Sequence, residues 1–157
     1  MFDIDKLVED TKDLTLLYIE DNEDSRESTL LILEDIFDNI IVAVDGEDGL
    51  DKFQNNKVDL ILTDINMPNM DGLEMSKAIK QIDYDTPIII LTALTNISTI
   101  KEAIDIGVDS FINKPIEDID ILFNKLDQII QKINYKKNQK DADTITQQVD
   151  KLSHILE

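Results

Sequence analysis

Two kinds of segment alternate along most of the chain. Short, almost continuously apolar runs rich in Ile, Leu and Val predict buried parallel strands at residues 14–19, 40–44, 58–63, 88–91 and 110–112. Between these runs, apolar residues at helical spacing predict amphipathic helices at about 23–37, 47–55, 72–82 and 97–106. Five strands that alternate with helices predict an α/β fold, a doubly wound five-stranded parallel sheet with helices on both faces.

A fifth helix follows the last strand, and a tail follows that helix. The helix has apolar residues at three- and four-residue spacing, at Ile119, Leu122, Phe123, Leu126, Ile129, Ile130 and Ile133. After a polar stretch at 135–140, a second apolar stripe is spaced four, three and four residues apart, at Ile145, Val149, Leu152 and Leu156. This spacing is typical of a coiled-coil seam of about two heptads.

The pattern divides the chain into three predicted parts. Residues 1–13 form an N-terminal arm or short helix, and residues 14–134 form the α/β domain. Residues 135–157 form a C-terminal helical extension of the domain, which is a coiled-coil tail or a linker. Such a short helix is marginal in water by itself, so we expect it to pack on a twin copy or on the domain, or to continue into a partner.

Charge excludes one large class of partners. The chain of 157 residues has a formal net charge of −19. Residues 135–157 contain four lysines and four acidic residues, so the whole acidic excess lies in the first 134 residues. Direct binding of DNA or RNA requires a basic surface that displaces counterions, and none is present. We therefore expect no direct nucleic-acid partner.

Membrane insertion and thiol chemistry are also not expected. No apolar run approaches the length that spans a bilayer, and the N-terminus lacks the basic start and apolar stretch of a signal peptide. The absence of cysteine excludes a disulfide framework and a thiolate metal site. These features predict a cytoplasmic protein.

Polar residues stand at the ends of four predicted strands. Glu20 and Asp21 follow the first strand, Asp64 the third, Thr92 the fourth and Lys114 the fifth. Because the carboxyl ends of parallel strands share one edge of a sheet, we expect these side chains to converge. Three carboxylates repel one another unless a cation intervenes, and hard oxygen ligands favour Mg²⁺ or Mn²⁺. A metal, a lysine and a hydroxyl would surround a phosphoryl group, with the central Asp64 as its nucleophile.

Four motifs carry a resemblance to a known family. They are YIEDN at 18–22, LTDINMPNMDG at 62–72, ILTAL at 90–94 and FINKP at 111–115. Their order and spacing resemble the receiver domain of two-component response regulators over roughly residues 12–134. The resemblance implies a flavodoxin-like (βα)5 fold and a domain that accepts a phosphoryl group from a sensor histidine kinase or a phosphotransfer protein.

The resemblance also implies roles for individual residues. Asp64 matches the phospho-accepting aspartate. Glu20 and Asp21 match the acidic pair that holds the divalent ion, and Asn66 matches the residue whose backbone carbonyl completes the coordination. Glu20 stands where Asp is more frequent in the family.

A second group of residues matches the family's switch. Thr92 matches the hydroxyl that turns towards the phosphoryl group, and Lys114 matches the lysine that pairs with it, before a proline that is typically cis. Phe111 falls on the switch aromatic, which is often Tyr, so an inward state here depends on packing alone. The implied output surface comprises the fourth helix, the fifth strand and the fifth helix. A homodimer through these helices or through the tail is a further expectation.

One alternative from a different class uses similar chemistry. Mg²⁺-dependent phosphatases of the haloacid dehalogenase type also have an aspartate nucleophile on a doubly wound sheet. They need a second Asp two residues after the nucleophile as general acid, and here that residue is Asn66. The expected protein is therefore a signalling phosphoacceptor that catalyses only its own phosphorylation and dephosphorylation, either acting alone or fused to an output domain.

Overall fold

Strands and helices alternate along the computed structural model, which describes residues 3–93 and 96–156. The strands are β1 Thr15–Ile19, β2 Asn39–Ala43, β3 Leu60–Thr63, β4 Ile88–Thr92 and β5 Ser110–Asn113. The helices are α1 Ile4–Asp10, α2 Glu23–Glu34, α3 Gly46–Asn55, α4 Gly72–Ile82, α5 Ile97–Ile106 and α6 Ile119–Leu156. Leu94, the last residue of the third motif, and the side chain of Leu156 lie outside the described residues.

The five strands form one fully parallel sheet in the order β2-β1-β3-β4-β5. Successive residues of a strand face opposite sides of the sheet, so Leu16 and Tyr18 of β1 lie on one face and Leu17 and Ile19 on the other. The first face packs against α1, α2 and α6, and the second against α3, α4 and α5. The predicted doubly wound α/β sheet is confirmed.

Side-chain caps fix where most helices begin. Five helices start after an Asp or Asn whose side-chain oxygen accepts a backbone N–H of the first turn: Asp3, Asn22, Asp45, Asp71 and Asn96. Such caps satisfy amide groups that have no partner within the helix. Gly107 ends α5 in the left-handed conformation with φ of 101°, as its position after the apolar pattern predicts.

One predicted boundary is wrong. The helix predicted at 23–37 ends at Glu34, and the chain then turns through hydrogen bonds from the amides of Ile36 and Phe37 to the carbonyl of Leu33. Ile36 and Phe37 are both 2% exposed. They extend the apolar pattern because they fill the core, although they no longer belong to the helix.

The segments predicted as the fifth helix and the tail form a single helix. α6 has 38 residues and passes through the polar stretch at 135–140 without a break. No Gly or Pro interrupts that stretch, and its lysines and glutamines are good helix formers. Residues 138–155 are all exposed, so the tail beyond Lys137 packs on no described part of its own chain. Within the described ranges, no helix is both long enough and apolar enough to cross a membrane.

The start of α4 lies against the end of β3. The amide of Gly72 donates to the carbonyl of Ile65 at 2.8 Å, and a Cβ at Gly72 would lie 2.1 Å from the carbonyl oxygen of Asp64. Glycine is therefore required at 72 for steric reasons, since the obstacle is backbone and cannot rotate away. This contact sets the path of the loop that carries Asp64.

We expect Gly72→Ala to lower the free energy of unfolding by about 2 kcal/mol or more, because the added methyl displaces the backbone at Asp64. Gly49→Ala in α3 is the control, since its new Cβ meets only the side chains of Met75 and Ile19 and alanine favours a helix. The Gly49 variant should therefore lose less stability in urea titrations. A Gly72 variant as stable as the wild type would contradict this account of the loop.

Candidate functional site

The sheet brings the predicted site residues to one edge. Each follows or ends a strand, and backbone hydrogen bonds continue the strand pairing into the site. The amide of Asp64 donates to the carbonyl of Ile19 at 3.1 Å, and the amide of Lys114 donates to the carbonyl of Thr92 at 2.9 Å. From β1 the chain adds β2 on one side of the sheet and then β3, β4 and β5 on the other. Open parallel sheets form their binding crevices at such a reversal of strand order, which here lies between β1 and β3.

Three carboxylates meet in this crevice. Glu20, Asp21 and Asp64 each offer one oxygen, and these three oxygens lie within 4.8 Å of one another. Their environments differ, because Glu20 is 1% exposed whereas Asp21 lies at the surface. The convergence that the strand ends predict is therefore present for all three acidic residues.

Lys114 lies between the two more enclosed carboxylates. Its Nζ donates a hydrogen bond to Oε1 of Glu20 and lies 3.4 Å from Oδ2 of Asp64. The resemblance to receivers implies that Glu20 binds a metal and that Lys114 binds a phosphoryl group. In this structure the two side chains bind each other. An ammonium group on a buried carboxylate offsets part of the cost of removing that charge from water.

Glu20 is the most perturbed acid of the site. Burial is the main cause that raises the pKa of its carboxyl to about 7; Lys114 opposes this rise and the adjacent Asp64 adds to it. Its second oxygen, Oε2, is buried and accepts no hydrogen bond from any residue in the described ranges. A buried oxygen without a donor is costly in a native protein and indicates a place for a further cation.

The acidic cluster fits a divalent ion. Glu20, Asp21 and Asp64 supply hard oxygen ligands only, and one of them carries a buried oxygen without a donor. Mg²⁺ takes few carboxylates and keeps several waters, and the exposure of Asp21 leaves room for these. The assignment of Glu20, Asp21, Asp64 and the Asn66 carbonyl as ligands remains a prediction.

Arg26 is a site residue that the sequence analysis missed. It lies on the first turns of α2, and its Nη1 donates to the carbonyl of Glu20 at 2.9 Å and lies 3.4 Å from that of Asp21. The guanidinium group therefore holds the backbone of the acidic pair. Arg26 is the only arginine of the chain, and this was the one sign in the sequence that could have drawn attention to it. Its spacing of five and six residues from Asp21 and Glu20 matches no helical contact rule.

The loop after Asp64 is held by backbone and apolar contacts. The amide of Ile65 donates to Oδ1 of Asp64 at 2.7 Å, which leaves Oδ2 facing Lys114. Met67 and Met70 pack against the core on the α3–α4–α5 side of the sheet, and Asn66 is exposed between them and the site. The carboxylate of Asp64 is therefore held by the backbone through one oxygen and contacts Lys114 through the other.

The two predicted switch residues occupy neighbouring strands. Thr92 is the last residue of β4 and is 4% exposed. Phe111 lies on β5, where it is half-buried and packs against the core on the α3–α4–α5 side. Lys125 of α6 donates to the carbonyl of Phe111, so the helix is tied to the strand at this residue. The peptide bond before Pro115 is cis, as the resemblance implies. The switching roles themselves remain predictions.

A comparison with protein families identifies the chain. The model of the response regulator receiver domain matches residues 16–146. The chain belongs to the response regulator receiver domain family. This finding confirms the resemblance that the four motifs carry and does not favour the haloacid dehalogenase alternative.

Individual relatives agree with this family. The chain is 34% identical over 109 residues to the transcriptional regulatory protein DltR of Streptococcus agalactiae, covering 69% of this chain and 49% of the relative. This receiver therefore spans about half the length of that curated relative.

Solved structures give the same result. The N-terminal domain of an uncharacterized protein from Wolinella succinogenes has a TM-score of 0.69 and 33% identity, covering 81% of this chain and 98% of the other. The response regulator TrrA of Thermotoga maritima, solved with Mg²⁺ and BeF, has a TM-score of 0.67 and 28% identity, covering 74% of this receiver and 98% of the other chain.

The raised pKa of Glu20 predicts how the metal-free receiver responds to pH. The carboxyl ionises near pH 4.5 in the unfolded chain and at about 7 in the folded one. The unfolded chain thus gives up its proton first, and the contribution of Glu20 to stability falls as the pH rises from 4.5 to 7. Urea titrations in chelator should show wild type losing stability relative to Glu20→Gln across this range, with a constant difference above pH 7.

Glu117→Gln is the matched control for this prediction. Glu117 is an exposed acid before α6, outside the site, and its replacement should leave the pH dependence of wild type unchanged. An equal slope in wild type and Glu20→Gln would show that the burial of Glu20 does not raise its pKa.

Proposed function

We propose that this receiver accepts a phosphoryl group on Asp64 from the phosphohistidine of a sensor histidine kinase or phosphotransfer protein, with Mg²⁺ bound. The observation that carries the proposal is the convergence of Glu20, Asp21 and Asp64 with Lys114 at the crevice edge of the sheet. Phosphoryl transfer depends mainly on positioning and on neutralising negative charge, and this edge supplies an oriented carboxylate, a lysine and a set of metal ligands.

The reacting atom is Oδ2 of Asp64. The other oxygen, Oδ1, accepts the Ile65 amide and is held in place. In the proposed transfer, Oδ2 forms a bond to phosphorus as the phosphorus–nitrogen bond of the donor breaks, and the imidazole nitrogen takes the released electron pair. The product is an acyl phosphate on Asp64 and a histidine on the donor.

Metal and lysine share the neutralisation of charge. Mg²⁺, or Mn²⁺ in its place, would be held by Glu20, Asp21, Asp64 and the carbonyl of Asn66, and supplies positive charge to the phosphoryl oxygens. Lys114 stands on the other side of Asp64 and pairs with the transferred group. Because Lys114 also binds Glu20, it exchanges one anionic partner for another when the phosphoryl group arrives.

Phosphorylation then changes the output surface. Thr92 turns towards the phosphoryl group and Phe111 follows it inward, which biases a two-state surface made of α5, β5 and α6. Phe111 has no hydroxyl, so its inward state is stabilised by packing. The surface signals to a partner or to a fused output domain. The domain boundaries that we propose are 1–13 for the arm, 14–134 for the receiver and 135–157 for the tail.

The proposed receiver is a cytoplasmic signalling protein and catalyses only its own phosphorylation and dephosphorylation. The acidic charge of −19 argues against a direct nucleic-acid contact by these residues. Histidine kinases and phosphotransfer proteins are the partners that fit an acceptor aspartate.

Intact-mass measurement tests the proposal. Wild-type protein incubated with a small acyl phosphate and Mg²⁺ should gain the mass of one phosphoryl group, and chelation of the metal should abolish the gain. Asp64→Asn should show no gain, because an amide is not a nucleophile for phosphorus. Asp83→Asn, at the exposed end of α4, is the matched control and should be phosphorylated as wild type.

Three results would oppose the proposal. A wild-type mass unchanged by the donor would exclude phosphorylation, and a gain that persists in Asp64→Asn would place it elsewhere. Turnover of general phosphomonoesters would favour a phosphatase.

A further inference from the structure

The continuity of α6 lengthens the apolar seam of the tail. Because the helix passes unbroken through 135–140, residues that the sequence reading treated as a polar spacer share the register of the later stripe. The spacing three, four, three, four, three, four runs through Tyr135, Asn138, Ala142, Ile145, Val149, Leu152 and Leu156. The heptad register is therefore continuous over three heptads, with Asn138 as the one polar residue among its seven positions. These seven residues are called the tail seam.

The tail seam is exposed from Tyr135 to Leu152. Tyr135 is 66% exposed, Ile145 60%, Val149 55% and Leu152 59%. A regular apolar stripe of this length on a free helix leaves surface in water that association would bury.

Near the domain, Tyr135 and Ala142 of the tail seam lie on a different side of α6 from the core face, whereas Leu152, on the exposed part of the helix, lies only about 40° from the direction of Ile130. Leu126, Ile130 and Ile133 face the sheet and are buried. At about 100° per residue, Tyr135 and Ala142 lie more than a third of a turn away from these residues. A helix packed on the tail seam therefore meets α6 from Tyr135 onwards, beyond the turn where Gln131 and Asn134 bind the end of α1.

We propose that the tail seam is a parallel, two-stranded coiled-coil interface with a second copy of this chain. Charge favours the second copy as the occupant. Residues 135–157 have no net charge, in contrast to the rest of the chain. In a parallel pair, the flanking positions that meet beyond the α1 contact are Asp141 with Thr146 and Gln148 with Ser153. No pair contains two like charges, so the sequence is compatible with itself.

Asn138 favours the parallel orientation. In the parallel register each Asn138 faces Asn138 of the other copy, so that two amides can bond to each other. In the antiparallel register that aligns the seams, Asn138 faces Val149, and a polar amide would be buried against an apolar group.

The contacts of α1 set the upstream end of the seam. Asn134 donates to the carbonyl of Asp10 at 3.0 Å, and Gln131 donates to the Asp10 carboxylate at 2.8 Å. The end of α1 therefore lies beside the turn of α6 that precedes Tyr135. The ion pair of Lys137 with Asp59, at 3.0 Å, holds the next turn against the sheet. The interface is thus a rigid continuation of the domain.

Sedimentation velocity over a wide range of concentrations tests the association. Wild type should change from a species of 17.9 kDa to one of twice that mass as concentration rises. Leu152→Asp should weaken the dimer by about tenfold or more, because a charge would be buried in the seam. Gln147→Asp, on the outward side of the same helix, adds an equal charge and should associate as wild type.

Added salt should strengthen the dimer, since it screens the repulsion between two chains of charge −19. A monomer at every concentration, a dimer unaffected by Leu152→Asp, or a dimer that salt dissociates would each overturn the proposal. None of the variants alters Asp64, so the result is independent of phosphorylation.

A disulfide test decides the orientation. The chain has no cysteine, so Val149→Cys introduces a single thiol into the seam. In the parallel dimer the two thiols face each other and should form a covalent dimer under mild oxidation. In the antiparallel register they are about 11 residues apart along the helix, or roughly 16 Å, too far for a disulfide. A dimer that does not cross-link through this residue would overturn the parallel register, and Gln147→Cys is the outward-facing control.

Discussion

Lys114 lies between two carboxylates that different strands bring to one edge of the sheet. Glu20 follows β1, Asp64 follows β3 and Lys114 follows β5, so the parallel register of the sheet decides their separation. The ion pair compensates the buried charge of Glu20, although Oε2 of that residue still lacks a donor among the described residues. Lys114 therefore makes the buried charge of Glu20 tolerable but leaves one of its oxygens without a partner among the described residues. Such a site suits a metal and a phosphoryl group.

The supports of this site come from the backbone around it. Gly72 brings the start of α4 against the carbonyl of Asp64, and the Ile65 amide orients one oxygen of the carboxylate. On the other side, Arg26 holds the carbonyls of the acidic pair from α2. Apart from the Ile65 bond, these supports act on the main chain, so the carboxylate of Asp21 and Oε2 of Glu20 remain available to ligands. A rigid support with free side-chain oxygens is what positioning catalysis requires.

α6 connects the site to the tail seam, the proposed interface with a second copy. Its first turns hold β5 through the bond from Lys125 to the carbonyl of Phe111, and Lys137 anchors its middle to Asp59. The exposed tail seam follows directly on the same helix. A movement at Phe111 would thus act on an element that extends beyond the domain, and the proposed pairing of two such helices would place two receivers in a fixed relation.

The sequence by itself determined the order of strands and helices, because burial on both faces of a parallel sheet requires apolar runs that are visible locally. It also determined which residues stand at the strand ends, and the helix boundaries at Asp71 and Gly107, where local chemistry decides the backbone. It overextended α2, since Ile36 and Phe37 are apolar for reasons of core packing. It also divided α6 into two helices, because it took the polar stretch at 135–140 as a break although no Gly or Pro stands there. Only the tertiary structure decided that Lys114 binds Glu20 and that Arg26 holds the acidic pair. Glu20 and Lys114 are 94 residues apart, and such contacts depend on side-chain length and on the register of four strands, which no local pattern of residues records.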